Sequence, residues 1–431
     1  MKIKNQVLRI TIATVAISAG LFAFGTHAAQ AIDRALIYFP KDGGNVLDQP
    51  FIISGKAAVK STVLVWIDGK LVGGAAVQKT TSKKATTNWF TYTYKKSLKV
   101  GSHVVATQVV KGAAKSVLTT TTVSVPATWR RKVDGMMVPT KVWNQLPFGV
   151  MIENTLAARP QAGLSQASIV YETLAEGGVT RFLAIFPQAI KPKLLGPVRS
   201  TRPYYVDWAK EHDAIYLHAG GSQDALQEIG RLKMRSYDGL RNVGAKYYSR
   251  KCYGVHCLFT SAVQLDKLVK EKKLTTINAK SSDGWVYKND VPLKNRPKSA
   301  SSKKLTIDFN GLTYRVVWTY DRASNRYKRQ NGGRLATDRN TGKQIRAANV
   351  LVMRVPKEKI LDRKLRIELK LIGRGDATLY RDGKAIQLRW WKKDKNSRTI
   401  YYVKGSQTQV EFNRGTTWVE VVPGARSVTY K

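Results

Sequence analysis

Two arginines three residues apart, Arg199 and Arg202, enclose Ser200 and Thr201 in the stretch GPVRSTRPYY at residues 196–205. Proline is favoured in the first turn of a helix, so Pro203 predicts a helix start directly after them. A helix N-terminus presents unpaired N–H groups and partial positive charge, and two guanidiniums with two hydroxyls beside it would cradle a phosphate or carboxylate. The competing reading ties both arginines to Glu172, Glu176 or Asp207 and leaves no free charge. His218 ends the apolar run AIYLH ahead of Ala-Gly-Gly-Ser. There it could serve as a general acid or base, with Ser222 or Ser200 as the nucleophile it activates. No G-x-S-x-G turn accompanies it, and a histidine closing a buried strand also serves as a hydrogen-bonded core group. Glu153, Glu172 and Glu176 offer a carboxylate pair for glycoside cleavage. Salt bridges to Arg159, Arg181 or Arg199 account for the same residues without catalysis. With Asn154, Gln161 and His256 these side chains fall within about a hundred residues, a concentration suited to a ligand pocket.

Positioning such groups requires a rigid frame, and residues 147–290 have the pattern for one. FGVMIE, SIVYETLAE, VTRFLAIFP and AIYLHAG read as strands. RPYYVDWAKEH, SQDALQEIG (capped by Ser222) and TSAVQLDKLVKEKK read as helices. The alternation predicts a mixed α/β (α+β) layer domain, with polar residues at strand ends lining a crevice. Residues 32–126 read as all-β, with about seven short strands and an Asp68-Gly69 hairpin turn, the pattern of a sandwich. From residue 305 to 431 the pattern is mainly β, rich in Asn-Gly, Gly-x-Gly and Asp-Gly turns. Residues 127–146 and 291–304 read as linkers.

The 431 residues hold 73 Lys and Arg against 29 Asp and Glu, a formal charge of +44. Residues 141–240 are nearly balanced, with 11 basic and 9 acidic side chains, whereas residues 291–431 carry 33 and 11. Specific partners are therefore expected in the middle and bulk attraction at the end. Lys2, Lys4 and Arg9 precede an apolar run at residues 10–24 and the A-x-A site Ala29-Gln30-Ala31. This is the pattern of a secretory signal peptide over residues 1–31, with an uncleaved anchor as its rival. Outside the cytoplasm, anionic wall polymers, glycans and phospholipid headgroups are the partners such charge would meet. A basic genome would produce the same charge with no partner at all. Nucleic acid is disfavoured by the compartment, although RWWKKDKNSRTIYY interleaves basic and aromatic residues as a stacking surface would. The two cysteines, Cys252 and Cys257 in CYGVHC, suit a local disulfide. Free thiols, or a metal held by both cysteines and His256, are the alternatives, the metal lacking an obvious fourth ligand. No histidine pair at ligand spacing occurs, and no cofactor is implied.

Several long stretches carry a family resemblance. MIENTLAARPQAGLSQASIVYETLAEGGVTRFLAIF, GPVRSTRPYYVDWAKEHDAIYLHAGGS and GVHCLFTS resemble the YerB-like family of bacterial envelope proteins. VVWTYDRASNRYKRQNGG, AANVLVM, GRGDATLYRDGK and GTTWVEVVPG are similar to that family's smaller second domain, so the resemblance spans roughly residues 133–431. It implies an envelope location but no reaction. Family members are commonly lipoproteins, whereas here no cysteine lies near the cleavage site. Ahead of these segments, GGNVLDQPFIISGKA, VLVWIDGK and KVGSHVVATQVV resemble bacterial immunoglobulin-like modules, which act as spacers or adhesive surfaces. The expectation is an envelope-associated binding protein that engages an anionic wall polymer or glycan. The alternative is an envelope hydrolase or transferase acting on a wall glycan or phosphate-containing polymer.

Overall fold

The computed structural model describes residues 32–47, 51–81, 86–274, 284–300 and 303–431. The expected signal peptide, residues 1–31, lies outside the described residues. Two compact units divide the chain, one drawn from residues up to 124 and the other containing Val125–Lys431. The first is mostly β. One sheet joins Leu36–Phe39, Phe51–Lys56, Thr86–Tyr94 and Gln78–Thr81, and a second centres on Thr62–Ile67, Gly101–Lys111 and Thr119–Val125. Asp68 and Gly69 both take positive φ, 51° and 77°, as the two-residue turn between Thr62–Ile67 and Lys70–Ala76 requires.

The second unit is built on a ten-stranded mixed sheet. We number its strands, with those of a smaller sheet beside it, in chain order. They are β1 (Phe148–Glu153), β2 (Ile169–Leu174), β3 (Thr180–Phe186), β4 (Ile215–His218) and β5 (Ser236–Asp238). Then follow β6 (Lys304–Asp308), β7 (Arg315–Asp321), β8 (Arg326–Asn331), β9 (Asn349–Val355), β10 (Gly373–Arg381), β11 (Lys384–Lys392), β12 (Ile400–Val403), β13 (Thr417–Pro423) and β14 (Val428–Tyr430). The large sheet runs β5-β4-β1-β3-β2-β13-β9-β10-β11-β12. β2 and β13 pair in parallel, so Ile169 faces Thr417 and Glu172 faces Glu420. The sheet thereby crosses from the middle of the sequence to its end, over the 291–304 segment expected as a linker. The smaller sheet aligns β8, β7, β6 and β14.

Burial explains the strand types. β1, β2 and β3 are buried at every position, as suits central strands covered on both faces. β7 and β8 instead alternate, with Trp318, Tyr327, Arg329 and Asn331 inward. Residues 127–146, also expected as a linker, contain a short hairpin of Thr128–Arg130 with Met137–Pro139. Asp134 fixes its tip by pairing with Arg131 at 2.6 Å and accepting from Ser168 Oγ at 2.6 Å.

Three helices position the polar strand ends. α1 (Pro203–Glu211) begins on Pro203 as predicted and buries Tyr204, Tyr205 and Trp208. Trp208 stacks on Tyr171 of β2 at 4.9 Å. α2 (Gln223–Arg231) is capped by Ser222, whose hydroxyl accepts from the Ala225 N–H at 3.4 Å. α3 (Ala262–Lys272) follows the disulfide loop.

Asp207 on α1 is buried, and burial pushes its carboxyl up to about 6 against the opposing pull of Lys395 and Lys392. Between the ordinary value of 3.8 and about 6 the native state holds a proton that the unfolded state releases. Stability therefore falls as pH rises through that window, and the full cost is present above it. Asp207→Asn is expected to raise the unfolding free energy at pH 7 by about 1–3 kcal/mol and to raise it much less at pH 4, where the native carboxyl is already protonated, measured by urea denaturation at the two pH values.

Candidate functional site

A cavity of about 470 Å³ opens between the loop after β1 and the β8 end of the smaller sheet. Asn154, Arg159 and Gln161 line it from the first side and Arg329, Asn331 and Arg334 from the second. Its rim carries three exposed leucines, Leu156, Leu312 and Leu335. An apolar rim over a polar, cationic floor suits a ligand with charged groups on a carbon frame.

The floor is organised by Asn154. Its amide donates to Thr180 Oγ1 at 2.7 Å and to Glu172 at 3.3 Å. Its Oδ1 accepts from Arg159 Nε at 3.0 Å and Gln161 Nε2 at 2.9 Å. Arg159 also donates to the Asn154 carbonyl at 2.9 Å and the Thr313 carbonyl at 3.1 Å. These acceptors are uncharged, and among the described residues Arg159 makes no ion pair. Its guanidinium is thus held in place with its charge uncompensated by direct contact. Burial pulls the Arg159 pKa below its usual value, while the charge of Glu172 acts in the opposite sense.

Beneath the cavity lies a buried charge cluster. Arg329 donates to Glu172 at 2.7 Å and reaches Glu420 at 3.4 Å, and its guanidinium lies 4.4 Å from the Trp418 ring centroid. One arginine thus faces two carboxyls on neighbouring strands. Burial, reinforced by the charge of Glu172, pushes the Glu420 carboxyl well above the usual carboxylate range, while Arg329 pulls in the opposite sense. Trp318 Nε1 donates to it at 2.8 Å.

Two residues beyond Arg329, on the same face of β8, sits Asn331. It is only 6% exposed, lines the cavity, and neither its Oδ1 nor its Nδ2 has a hydrogen-bond partner. Buried amides are ordinarily satisfied, and leaving one unpaired costs about 1–3 kcal/mol. The group is therefore available to a ligand at the cost of fold stability.

The remaining residues singled out in the sequence lie in other clusters. Arg199 pairs with Glu153 at 3.3 Å, and His256 Nδ1 contacts the other oxygen of Glu153 at 2.7 Å. The Cys252–Cys257 disulfide, with S–S 2.02 Å, closes the loop that carries His256. Arg181 and Arg202 both pair with Glu176, and Arg181 donates to the Ser200 carbonyl at 2.7 Å. The two arginines of GPVRSTRPYY thus diverge to separate carboxylates, Arg199 to Glu153 and Arg202 to Glu176, as the salt-bridge reading of these glutamates expects. His218 is buried, with Nδ1 2.9 Å from the Gly220 carbonyl and Nε2 2.7 Å from Ser236 Oγ. Burial lowers its pKa, and neither ring nitrogen addresses Ser200 or Ser222. Glu172 is fully buried, its oxygens taken by Asn154, Thr180 and Arg329. Among the described residues no group of three or more His, Cys, Asp or Glu is placed to hold a metal ion, and no helix is long and apolar enough to cross a membrane. Arg329 and Asn331 escape sequence reading because YKRQN resembles any solvated strand until the face it buries is known, and Glu420 because nothing local to TWVEVVP marks the parallel pairing that sets it beside Glu172.

The fold and its polar floor define a protein class. Residues 134–275 match the family model described as the protein of unknown function (DUF3048) N-terminal domain, and residues 305–419 match the DUF3048 C-terminal domain. The chain belongs to this family, which includes YerB. It is 31% identical over 297 residues to "Putative lipoprotein YerB" of Bacillus subtilis (strain 168), an alignment covering 67% of this chain and 85% of that protein. The crystal structure of YerB from Bacillus subtilis superposes with a TM-score of 0.61 and 29% identity, over 70% of this chain and 99% of the other. The YerB relationship and the disulfide, a bond of oxidising compartments, place the chain outside the cytoplasm at the cell envelope.

Proposed function

We propose that the protein binds an anionic wall polymer or glycan, and that the cavity above Arg329 receives a phosphate or carboxylate group with its neighbouring hydroxyls. One observation carries this reading: the Asn331 amide, buried and unpaired in the cavity wall, offers a donor and an acceptor that nothing in the fold uses. Arg159 would supply the charge, the rim leucines would lie against the carbon frame, and the basic surface would draw the polymer in. Residues 1–31 are read as the secretory signal. Residues 32–126 are read as an immunoglobulin-like spacer, and the segments 147–290 and 305–431 as the binding body. The hydrolase or transferase reading finds less support, since both Glu172 oxygens are already held by Asn154, Thr180 and Arg329 and both His218 ring nitrogens contact Gly220 and Ser236.

Titration calorimetry of the mature chain with a short poly(glycerol phosphate), alongside thermal unfolding, tests the reading. Asn331→Leu is expected to weaken binding at least about tenfold. The same change should stabilise the fold by about 1–2 kcal/mol, because an unsatisfied amide is removed. Unchanged affinity in a correctly folded Asn331→Leu protein would remove the cavity from the proposal.

A further inference from the structure

The outer strands β10, β11 and β12 carry a second feature that the family match does not explain. β11 contains Trp390 and Trp391 in succession, and strand alternation sends them to opposite faces. Trp390 turns inward, is buried, and donates Nε1 to the Arg354 carbonyl at 2.8 Å. Trp391 turns outward and is 36% exposed, with no ring or cation–π contact among the described residues. A solvent-facing strand position needs no tryptophan, since threonine or lysine would serve there without exposing an indole ring.

The register shows what surrounds it. Trp391 lies opposite Arg374 on β10 and Ile400 on β12, while Arg389 lies opposite Asp376 and Tyr402. Tyr402 is therefore the diagonal neighbour of Trp391, roughly 7–8 Å away on the same face. Arg374, Arg389, Trp391 and Tyr402 border an open depression of about 500 Å³, completed by Ser406 and Gln407 of the following turn. Asp376 pairs with Arg389 at 3.0 Å and with Lys404 at 3.8 Å, so two cations share one carboxylate and, with Arg374 beside them, the face is net positive.

We propose that this face is a second binding platform, taking a sugar ring of an anionic glycan strand. The Trp391 indole offers a flat apolar surface for the C–H face of a pyranose. Asp376 and Gln407 can bond ring hydroxyls, and Arg374, which makes no ion pair among the described residues, can meet a carboxylate or phosphate on the adjacent residue. Charge selects the occupant: a neutral glycan leaves Arg374 unmatched, and a polyanion without rings leaves Trp391 uncovered. The platform shares no lining residue with the cavity above Arg329, so the two proposals stand or fall separately.

The test uses hyaluronan tetrasaccharide, which alternates uronate with N-acetylglucosamine, titrated into the mature chain and followed by calorimetry and tryptophan fluorescence. The wild type is expected to bind with quenching. Trp391→Ala should weaken binding at least about tenfold, with unfolding behaviour unchanged because the side chain is exposed. Arg374→Ala should weaken the tetrasaccharide but leave chitotetraose binding unaltered, and Asn331→Leu should leave both unaltered. The proposal is overturned if the wild type does not bind up to millimolar concentration, or if Trp391→Ala binds like the wild type. It is equally overturned if polyphosphate or a single-stranded oligonucleotide binds more tightly than the tetrasaccharide with the same dependence on Trp391.

Discussion

Arg329→Met is expected to lower the unfolding free energy of the protein by about 3–5 kcal/mol, the usual cost of stripping a buried charge of its partner. The reason lies in the cluster itself. Glu172 and Glu420 face one another across the β2–β13 pairing, both fully buried, and Arg329 is the cation that reaches both. Removing it leaves the Glu172 carboxylate in a low-dielectric interior and also vacates the aromatic box of Trp318, Trp418 and Phe182. Glu420→Gln provides the contrast. Because burial and the charge of Glu172 favour the uncharged form of Glu420, replacing its carboxyl by an amide should change stability by less than about 1 kcal/mol. Urea denaturation of the two variants distinguishes this assignment from one in which both glutamates are charged, where Glu420→Gln would relieve repulsion and stabilise strongly.

Lys392→Met should be nearly as damaging, again by about 3–5 kcal/mol. Lys392 and Glu211 are wholly buried and paired at 2.7 Å, joining the end of β11 to α1. Glu211 also accepts from Tyr171 at 2.8 Å and from the Thr399 hydroxyl at 2.8 Å. Burial opposes ionisation of Glu211, yet Lys392 and these donors carry its pKa down to about 2. Beside it, burial and the neighbouring Arg398 hold His212 neutral, with a pKa of about 3. Both groups bind fewer protons in the native state than in the unfolded state. The Glu211 contribution is complete above 4.5 and is lost as pH falls toward 2; that of His212 is lost as pH falls from 6.5 toward 3. Asp207 acts in the opposite sense between 3.8 and about 6. Acid sensitivity should therefore be steeper in Asp207→Asn than in the wild type. The double variant Glu211→Leu/Lys392→Met should recover most of what Lys392→Met loses, since no unpaired charge is left behind.

What the sequence disclosed follows the range of the interactions. The Asp68-Gly69 turn, the Ser222 cap, the Pro203 helix start and the Cys252–Cys257 closure are each set within a few residues, and local chemistry determines them. Arg199 and Arg202 were legible as either an anion cradle or a pair of structural ties, and the choice between these depends on which carboxylates the fold brings up. Glu153 reaches Arg199 because Val198 bridges to Ile152 of β1, a contact between residues 46 apart. The cavity floor is more distant still. Arg329 meets Glu172 across 157 positions, and Trp318 meets Glu420 across 102. Arg329 and Asn331 sit in the strongly basic end of the chain, where charge alone suggests a solvated surface. Only the packing of β8 against the ten-stranded sheet turns them inward. The same sheet unites segments that composition separates, because the β2–β13 pairing has no local signature.

The most direct measurement is a crystal structure of the mature chain grown with a short poly(glycerol phosphate) at saturating concentration. Density for the polymer is expected in the cavity above Arg329, with a phosphate oxygen or hydroxyl on the Asn331 amide and a phosphate on the Arg159 side. An empty cavity, with polymer ordered only on exposed lysines, would contradict the proposed site.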